Sequence, residues 1–203
     1  MRPMNEEAGQ TGSTRSFETT EGVFNYPEIS EKLAISLAKI LDQLLQDLPG
    51  NIIITPEWLC QKHRELAGHL FPEWAGRFRT TDVKVGTLEP PVYYKVPILV
   101  RSFCDDLAER LRHVDDSNLS EIAEFLAWVD WRFQWVHPFK DFNGRIGRLV
   151  LAALLYKLAL PPVETAPTDA ERRREYLDAL RAGDAGNLDP LQRLWIRRLG
   201  EAI

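Results

Sequence analysis

Residues 122–136 read IAEFLAWVDWRFQWV, residues 137–148 HPFKDFNGRIGR, and residues 149–160 LVLAALLYKLAL. The first stretch has two apolar faces. Ile122, Phe125, Leu126, Val129, Phe133 and Val136 form one, and Trp128, Trp131 and Trp135 the other. A helix apolar on two sides is sandwiched inside a domain. The third stretch is apolar almost all round, which predicts a central helix over about 146–158. The segment between must then be a tight loop and a helix start inside a rigid frame, where functional groups concentrate.

Helical periodicity extends outward from this centre. Ser30 is placed to cap a helix to about Leu48, with Leu33, Leu37, Ile40, Leu41 and Leu44 on one stripe. Thr55-Pro56-Glu57 is a second helix start, carrying Leu59, His63 and Leu66 inward. His63, His69 and His113 read as structural histidines. Further helices are expected over Pro97–His113, Ser120–Val136, Asp169–Ala182 and Asp189–Leu199. Val83-Lys84-Val85 alternates like a strand, and Val92-Tyr93-Tyr94 is the expected return, which makes one β-hairpin. Residues 1–22 are rich in Gly, Ser, Thr and Glu without periodicity. With the chain up to residue 27 they predict a mobile tail, leaving 28–203 as one domain. The expected fold class is all-α with a small β-hairpin.

Composition narrows the function classes. The chain has 203 residues, 44% of them hydrophobic, and a net charge of -5. That charge argues against a nucleic-acid partner or an anionic membrane surface. The longest apolar run, Leu149–Tyr156, is too short to span a bilayer, and the N-terminal residues lack a signal-like apolar region. Cys60 and Cys104 stand alone, without metal or disulfide spacing, which suits a reducing cytoplasm.

The chemistry lies in 137–148. A helix opening at Asn143 or Gly144 leaves its first N–H groups without intrahelical partners, at the positive end of the helix dipole. Such a terminus suits phosphate, and Gly144 lets an oxygen approach the main chain. Arg145 and Arg148 share one face of the first turn. Asp141 is a hard oxygen ligand, and Mg²⁺ prefers one or two carboxylates plus phosphate oxygens. His137 is the neutral-pH base nearby. Together these groups describe phosphoryl or nucleotidyl transfer.

HPFKDFNGRIGR resembles the Fic motif HPFx[D/E]GN[G/K]RxxR of the Fic/Doc superfamily, through His137, Pro138, Phe139, Asp141, Asn143, Gly144, Arg145 and Arg148. The wider resemblance covers about residues 55–200 and includes Trp74–Arg79, Pro90-Pro91 and Asn187–Leu191. It implies a helical fold that transfers AMP from ATP to a Tyr, Ser or Thr hydroxyl of a target protein, releasing pyrophosphate. By the same resemblance His137 is the base, and Phe139 anchors the loop in the core. Asp141 holds Mg²⁺. Asn143 and Gly144 cradle phosphates, with Arg145 and Arg148 on the outer ones. The hairpin, with Val83, Val85, Val92 and Tyr93, resembles the family's flap, on which a target docks as an added strand. Gly144, where phosphate-transferring members carry Lys, favours AMP. Transfer of UMP, phosphocholine or phosphate, removal of AMP, and a non-catalytic binding module are the alternatives. Phe142 stands where the family usually has Gly, and a phenylalanine is disfavoured at positive φ. The family's inhibitory glutamate, in an [S/T]xxxE[G/N] helix that pairs with the second arginine, is matched only in part. Glu21-Gly22 has Phe17 at the hydroxyl position, and Thr14 with Glu18 is followed by Thr19. Control by a separate antitoxin-like inhibitor protein, or none of this kind, is the expectation.

Overall fold

Seven α-helices form the body of the computed structural model, which describes residues 5–6, 15–86 and 88–202. Helix α1 (Tyr26–Gln46) starts from a reciprocal cap. The Asn25 side chain accepts from the Glu28 N–H at 3.0 Å, and the Glu28 carboxylate accepts from the Asn25 N–H at 2.7 Å. This capping box overrides the Ser30 start expected from the sequence, so Ser30 lies inside the helix. Thr55 caps α2 (Pro56–Ala67) as its sequence predicts. Helix α3 spans Val96–His113 and α4 Leu119–Val136, the latter capped by Asn118. Helices α5 (Asn143–Lys157), α6 (Ala170–Asp184, capped by Asp169) and α7 (Asp189–Ala202) complete the set. No helix among the described residues is long and apolar enough to cross a membrane.

The axis of the bundle is α4. It packs against α3, α5, α6 and α7, whereas α5, expected to be central, packs against α4, α1 and α2. The tryptophan face of α4 explains the difference. Trp128 lies beside Phe103 on α3, while the Trp131 Nε1–H donates to Asp184 on α6 at 3.0 Å. Gly147 brings α4 and α5 together: a Cβ there would stand 2.6 Å from the Gln134 Nε2 and 3.1 Å from the Phe133 ring. Close approach of these two helices places the end of one against the start of the other.

Two local features differ from the sequence reading. Residues 16–25 are not a tail. Strands β2 (Ser16–Thr19) and β3 (Gly22–Asn25), which follow β1 (Asn5–Glu6), form an antiparallel hairpin. Its turn is tied to the end of α2 by the Thr20 N–H on the Leu70 carbonyl and the Thr20 hydroxyl on the His69 carbonyl. Phe17 is buried on its inner face. The expected boundary at residues 27–28 thus falls within α1.

The second difference is the return of the 83–94 hairpin. Val85 and Leu88 exchange both backbone hydrogen bonds around Gly86, whose φ is +58°. Tyr93–Lys95 is a 3₁₀ turn leading into α3, not a strand. The partner of β4 (Lys84–Val85) is β1, in parallel, with Asn5 opposite Lys84 and Glu6 opposite Val85. Pro90-Pro91 cannot donate to a ladder, which keeps the return arm out of the sheet.

Candidate functional site

The loop between α4 and α5 begins and ends on left-handed residues. His137 has φ 48° and Phe142 φ 61°. The second is the position where a glycine would be unstrained. A left-handed non-glycine residue costs about 1–2 kcal/mol, and full burial of a phenylalanine returns about 2–3 kcal/mol. Phe142 is buried, with ring centroids of Phe71, Trp74 and Phe17 at 5.6, 5.7 and 6.2 Å. Packing therefore holds the angle without glycine, and the N-terminal hairpin contributes to it through Phe17.

The middle of the loop is fixed from beneath. Phe139 is fully buried and stacks on the His63 ring, centroids 4.0 Å apart and planes within 5°. His63 Nδ1 accepts the Gly76 N–H at 2.9 Å, so Nε2 bears the proton and donates to the Asp141 carbonyl at 3.1 Å. Burial pushes the His63 pKa down to about 4, so the ring is neutral. Gly76 is obligatory: its φ is +77°, and a Cβ would meet the Arg64 side chain at 2.7 Å. The Asn143 side chain closes the loop. Its Oδ1 accepts the Phe139 N–H at 2.8 Å and its Nδ2 donates to the Phe139 carbonyl at 2.9 Å. The structure thus turns the amide expected to cradle phosphate inward as a clasp. The Asn143 backbone N–H, at the helix start, has no intrahelical acceptor.

His137 closes α4, its N–H donating to the Phe133 carbonyl at 3.1 Å. Its Nδ1 lies 3.3 Å from the Gln134 carbonyl, which only a protonated Nδ1 can satisfy. That tautomer leaves Nε2 as the basic nitrogen. Burial, followed by the nearby Arg79 charge, pushes its pKa down to about 4 against the opposing Gln134 contact. A bound polyphosphate would raise it again, because an anion favours the imidazolium.

Helix α5 starts on Phe142, which has no side-chain acceptor to cap it. The arginines stand on its first two turns. Arg145 donates to the Ser30 hydroxyl at 2.9 Å. The Arg148 guanidinium is placed 3.4 Å from where a Cβ on Gly144 would stand. Burial and the like charge of Arg145 both lower the Arg148 pKa; an anion between them would offset the repulsion. Asp141 Oδ1 accepts the Phe142 N–H at 2.8 Å, and Oδ2 pairs with the Arg15 guanidinium at 2.6 Å. A cation already stands on this carboxylate, so a divalent ion on Oδ2 would have to displace the guanidinium. No cluster of three or more His, Cys, Asp or Glu suited to a metal exists among the described residues. A divalent ion on Asp141 would therefore depend on phosphate oxygens for its other ligands.

His137, Phe139, Asp141, Asn143, Gly144, Arg145 and Arg148 thus lie on one loop and the first two turns of one helix. Of the hairpin residues, Val83 precedes β4 and Val85 lies in it, while Val92 precedes the 3₁₀ turn and Tyr93 opens it. Neither candidate inhibitory glutamate is placed on Arg148. Glu21 pairs with Lys32 at 2.7 Å, Glu18 is exposed on β2 opposite Val23, and Thr14 lies outside the described residues. The sequence reading assigned no role to Arg79. Its side chain is fully buried, and Nε donates to the His137 carbonyl at 2.9 Å. A buried arginine must find acceptors, and these lie on His137, Thr81 and Pro91, so no local pattern signalled the role.

The model of the Fic/DOC family matches residues 53–155. The chain is 32% identical over 149 residues to a protein adenylyltransferase Fic of Nematostella vectensis, covering 71% of this chain and 34% of that one. It is 32% identical over 143 residues to the protein of the same name from Culex quinquefasciatus, covering 70% and 27%. The chain therefore spans about a third or less of these relatives' lengths. Among solved structures, C. elegans Fic-1 superposes with a TM-score of 0.69 at 27% identity, over 85% of this chain and 49% of that one. The BepC effector of Bartonella tribocorum, solved with bound AMPPNP, superposes with a TM-score of 0.71 at 19% identity, over 92% and 93%.

Proposed function

The chain belongs to the Fic/DOC family, and from that premise we propose that it is a protein adenylyltransferase that uses ATP. The target's Tyr, Ser or Thr hydroxyl gives its proton to Nε2 of His137. Its oxygen forms a bond to the α-phosphorus, the α–β phosphoanhydride bond breaks, and pyrophosphate leaves. The observation that carries this reading is the common frame: a neutral imidazole, an uncapped helix start and two crowded arginines held by one loop. The naming of relatives at 32% identity as protein adenylyltransferases supports it.

Each residue then has a part. The Asn143 and Gly144 backbone and the Arg145 and Arg148 guanidiniums bind the triphosphate and offset its charge. Asp141 would hold Mg²⁺, which supplies further charge neutralisation of the phosphates when bound. The buried underside formed by Phe139, Phe142 and His63 holds these groups in place before substrate arrives. The edge of β4 now paired with Asn5–Glu6 is where the target's extended segment adds, and that pairing supports its capacity to take a strand. An antitoxin-like inhibitor protein is compatible with the position of Glu21 on Lys32.

The test is to incubate the purified chain with cell lysate and ATP labelled on the α- or the γ-phosphate, alongside His137→Ala. Protein label from the α-phosphate only, lost in the variant, is the expected result. Label from the γ-phosphate only would make the protein a phosphotransferase. The absence of any His137-dependent label would contradict the proposal.

A further inference from the structure

We propose that Arg79 is a positioning residue that locks the His137 loop and both arms of the hairpin 80–92 into one unit, so that a segment docked on the hairpin meets a base at fixed distance. The inference builds on the reading of His137 as the base and of the hairpin as the docking edge. Four bonds make the connection. The Arg79 backbone N–H donates to the Pro138 carbonyl at 2.9 Å, and Nε donates to the His137 carbonyl at 2.9 Å. Nη1 donates to the Thr81 carbonyl, on the arm entering β4, at 3.1 Å, and Nη2 to the Pro91 carbonyl on the returning arm. Phe78, next in sequence, forms a β-bridge with Phe139, so the link continues through the main chain.

A guanidinium suits this task because its donors form a rigid planar fork. Three carbonyls from three segments are thereby held in fixed relation. An ammonium on a flexible stem could not hold all three. A role in stability alone would not need this chemistry. The nearest carboxylate, Asp82, is 3.8 Å away with its side chain 62% exposed, too solvated to repay burial of a cation. An apolar side chain would fill the same space without that desolvation. It would release the His137 carbonyl, whose residue keeps a left-handed backbone that persists only when its surroundings hold it.

The test is amide hydrogen exchange of the full unliganded chain, wild type against Arg79→Met and Arg79→Lys. In Arg79→Met, amides of 80–92 and 137–141 should exchange together about tenfold faster, while the interiors of α4 and α5 stay within about twofold. Arg79→Lys should give the same paired response at smaller size. It decides the matter if Arg79→Met does not fold. In transfer assays both variants should lower kcat, Arg79→Met by about 100-fold, with KM for ATP within about twofold. A response in one segment only, in neither, or throughout the chain would overturn the proposal. So would a kcat loss in which Arg79→Lys equals Arg79→Met. The exchange arm needs no turnover, so a chain that fails to transfer AMP leaves it decisive.

Discussion

The loop 137–142 and the hairpin 80–92 meet at Arg79 and are built on opposite plans. In the loop, Phe139 and Phe142 are buried in ring contacts, Asn143 clasps the Phe139 backbone twice, and His63 holds the Asp141 carbonyl. The hairpin has one tight turn at Gly86, an exposed Lys84–Glu89 pair at 3.6 Å that contributes little, and Arg79 at its base. Rigidity is concentrated where bonds would change, and the segment that would accept a partner is left with few internal constraints. Substitutions that trade these properties are the way to break or sharpen the contrast.

The largest effect of any one substitution on stability is expected at the clasp. Asn143→Ala leaves a buried N–H and a buried carbonyl of Phe139 without partners, which costs about 3 kcal/mol. Urea unfolding should show that loss, with weakened nucleotide binding; a loss below about 0.5 kcal/mol would mean the loop is held elsewhere.

Next comes acid. His63 and His137 have pKa values pushed down to about 4 in the folded chain, against about 6.5 unfolded. Between these values the unfolded state binds more protons, so stability is complete above about pH 6.5 and falls as pH drops toward 4. Each histidine should remove about 2 kcal/mol by about pH 5. Thermal unfolding from pH 7 to 5 should show the fall, and His137→Gln should remove about half of it. An unchanged slope in that variant would mean its ring is not buried in solution.

The third concerns the cation on Asp141. Removing the guanidinium with Arg15→Ala should tighten binding of the Mn²⁺–ATP complex about tenfold, or about 1.4 kcal/mol, in calorimetry. No gain would mean the pair does not compete with a divalent ion. The smallest effect belongs to the hairpin. Val83→Ala and Tyr93→Ala should change stability by less than about 0.5 kcal/mol while raising KM for a target protein and leaving ATP binding unchanged. A stability loss as large as at the clasp would erase the contrast.

Much of this was legible before any coordinates. Thr55-Pro56-Glu57, Asp169 and the apolar stripes announce helices through local capping chemistry and periodicity, and 137–148 announces the loop through residue types at fixed spacing. What remained hidden depends on distance along the chain. Ser16–Asn25 has a tail's composition, and its strands are ordered by Phe17 reaching Phe142 and by Thr20 reaching Leu70. Asn143 reads equally well as a ligand or a clasp until the Phe139 backbone is seen beside it. Phe142 reads as a liability until three rings close over it. The Arg79 contacts join 79 to 91 and 137, which no local pattern encodes.

The central claim is that His137 acts on a proton and does not hold the nucleotide. Its most direct test pairs two numbers on His137→Ala: the dissociation constant for ATP with Mg²⁺, and the rate of α-phosphate label transfer to protein. The account predicts binding within about twofold of wild type and a rate lower by a factor of about 10²–10⁴. Transfer at the wild-type rate, or loss of binding in step with loss of transfer, would contradict it.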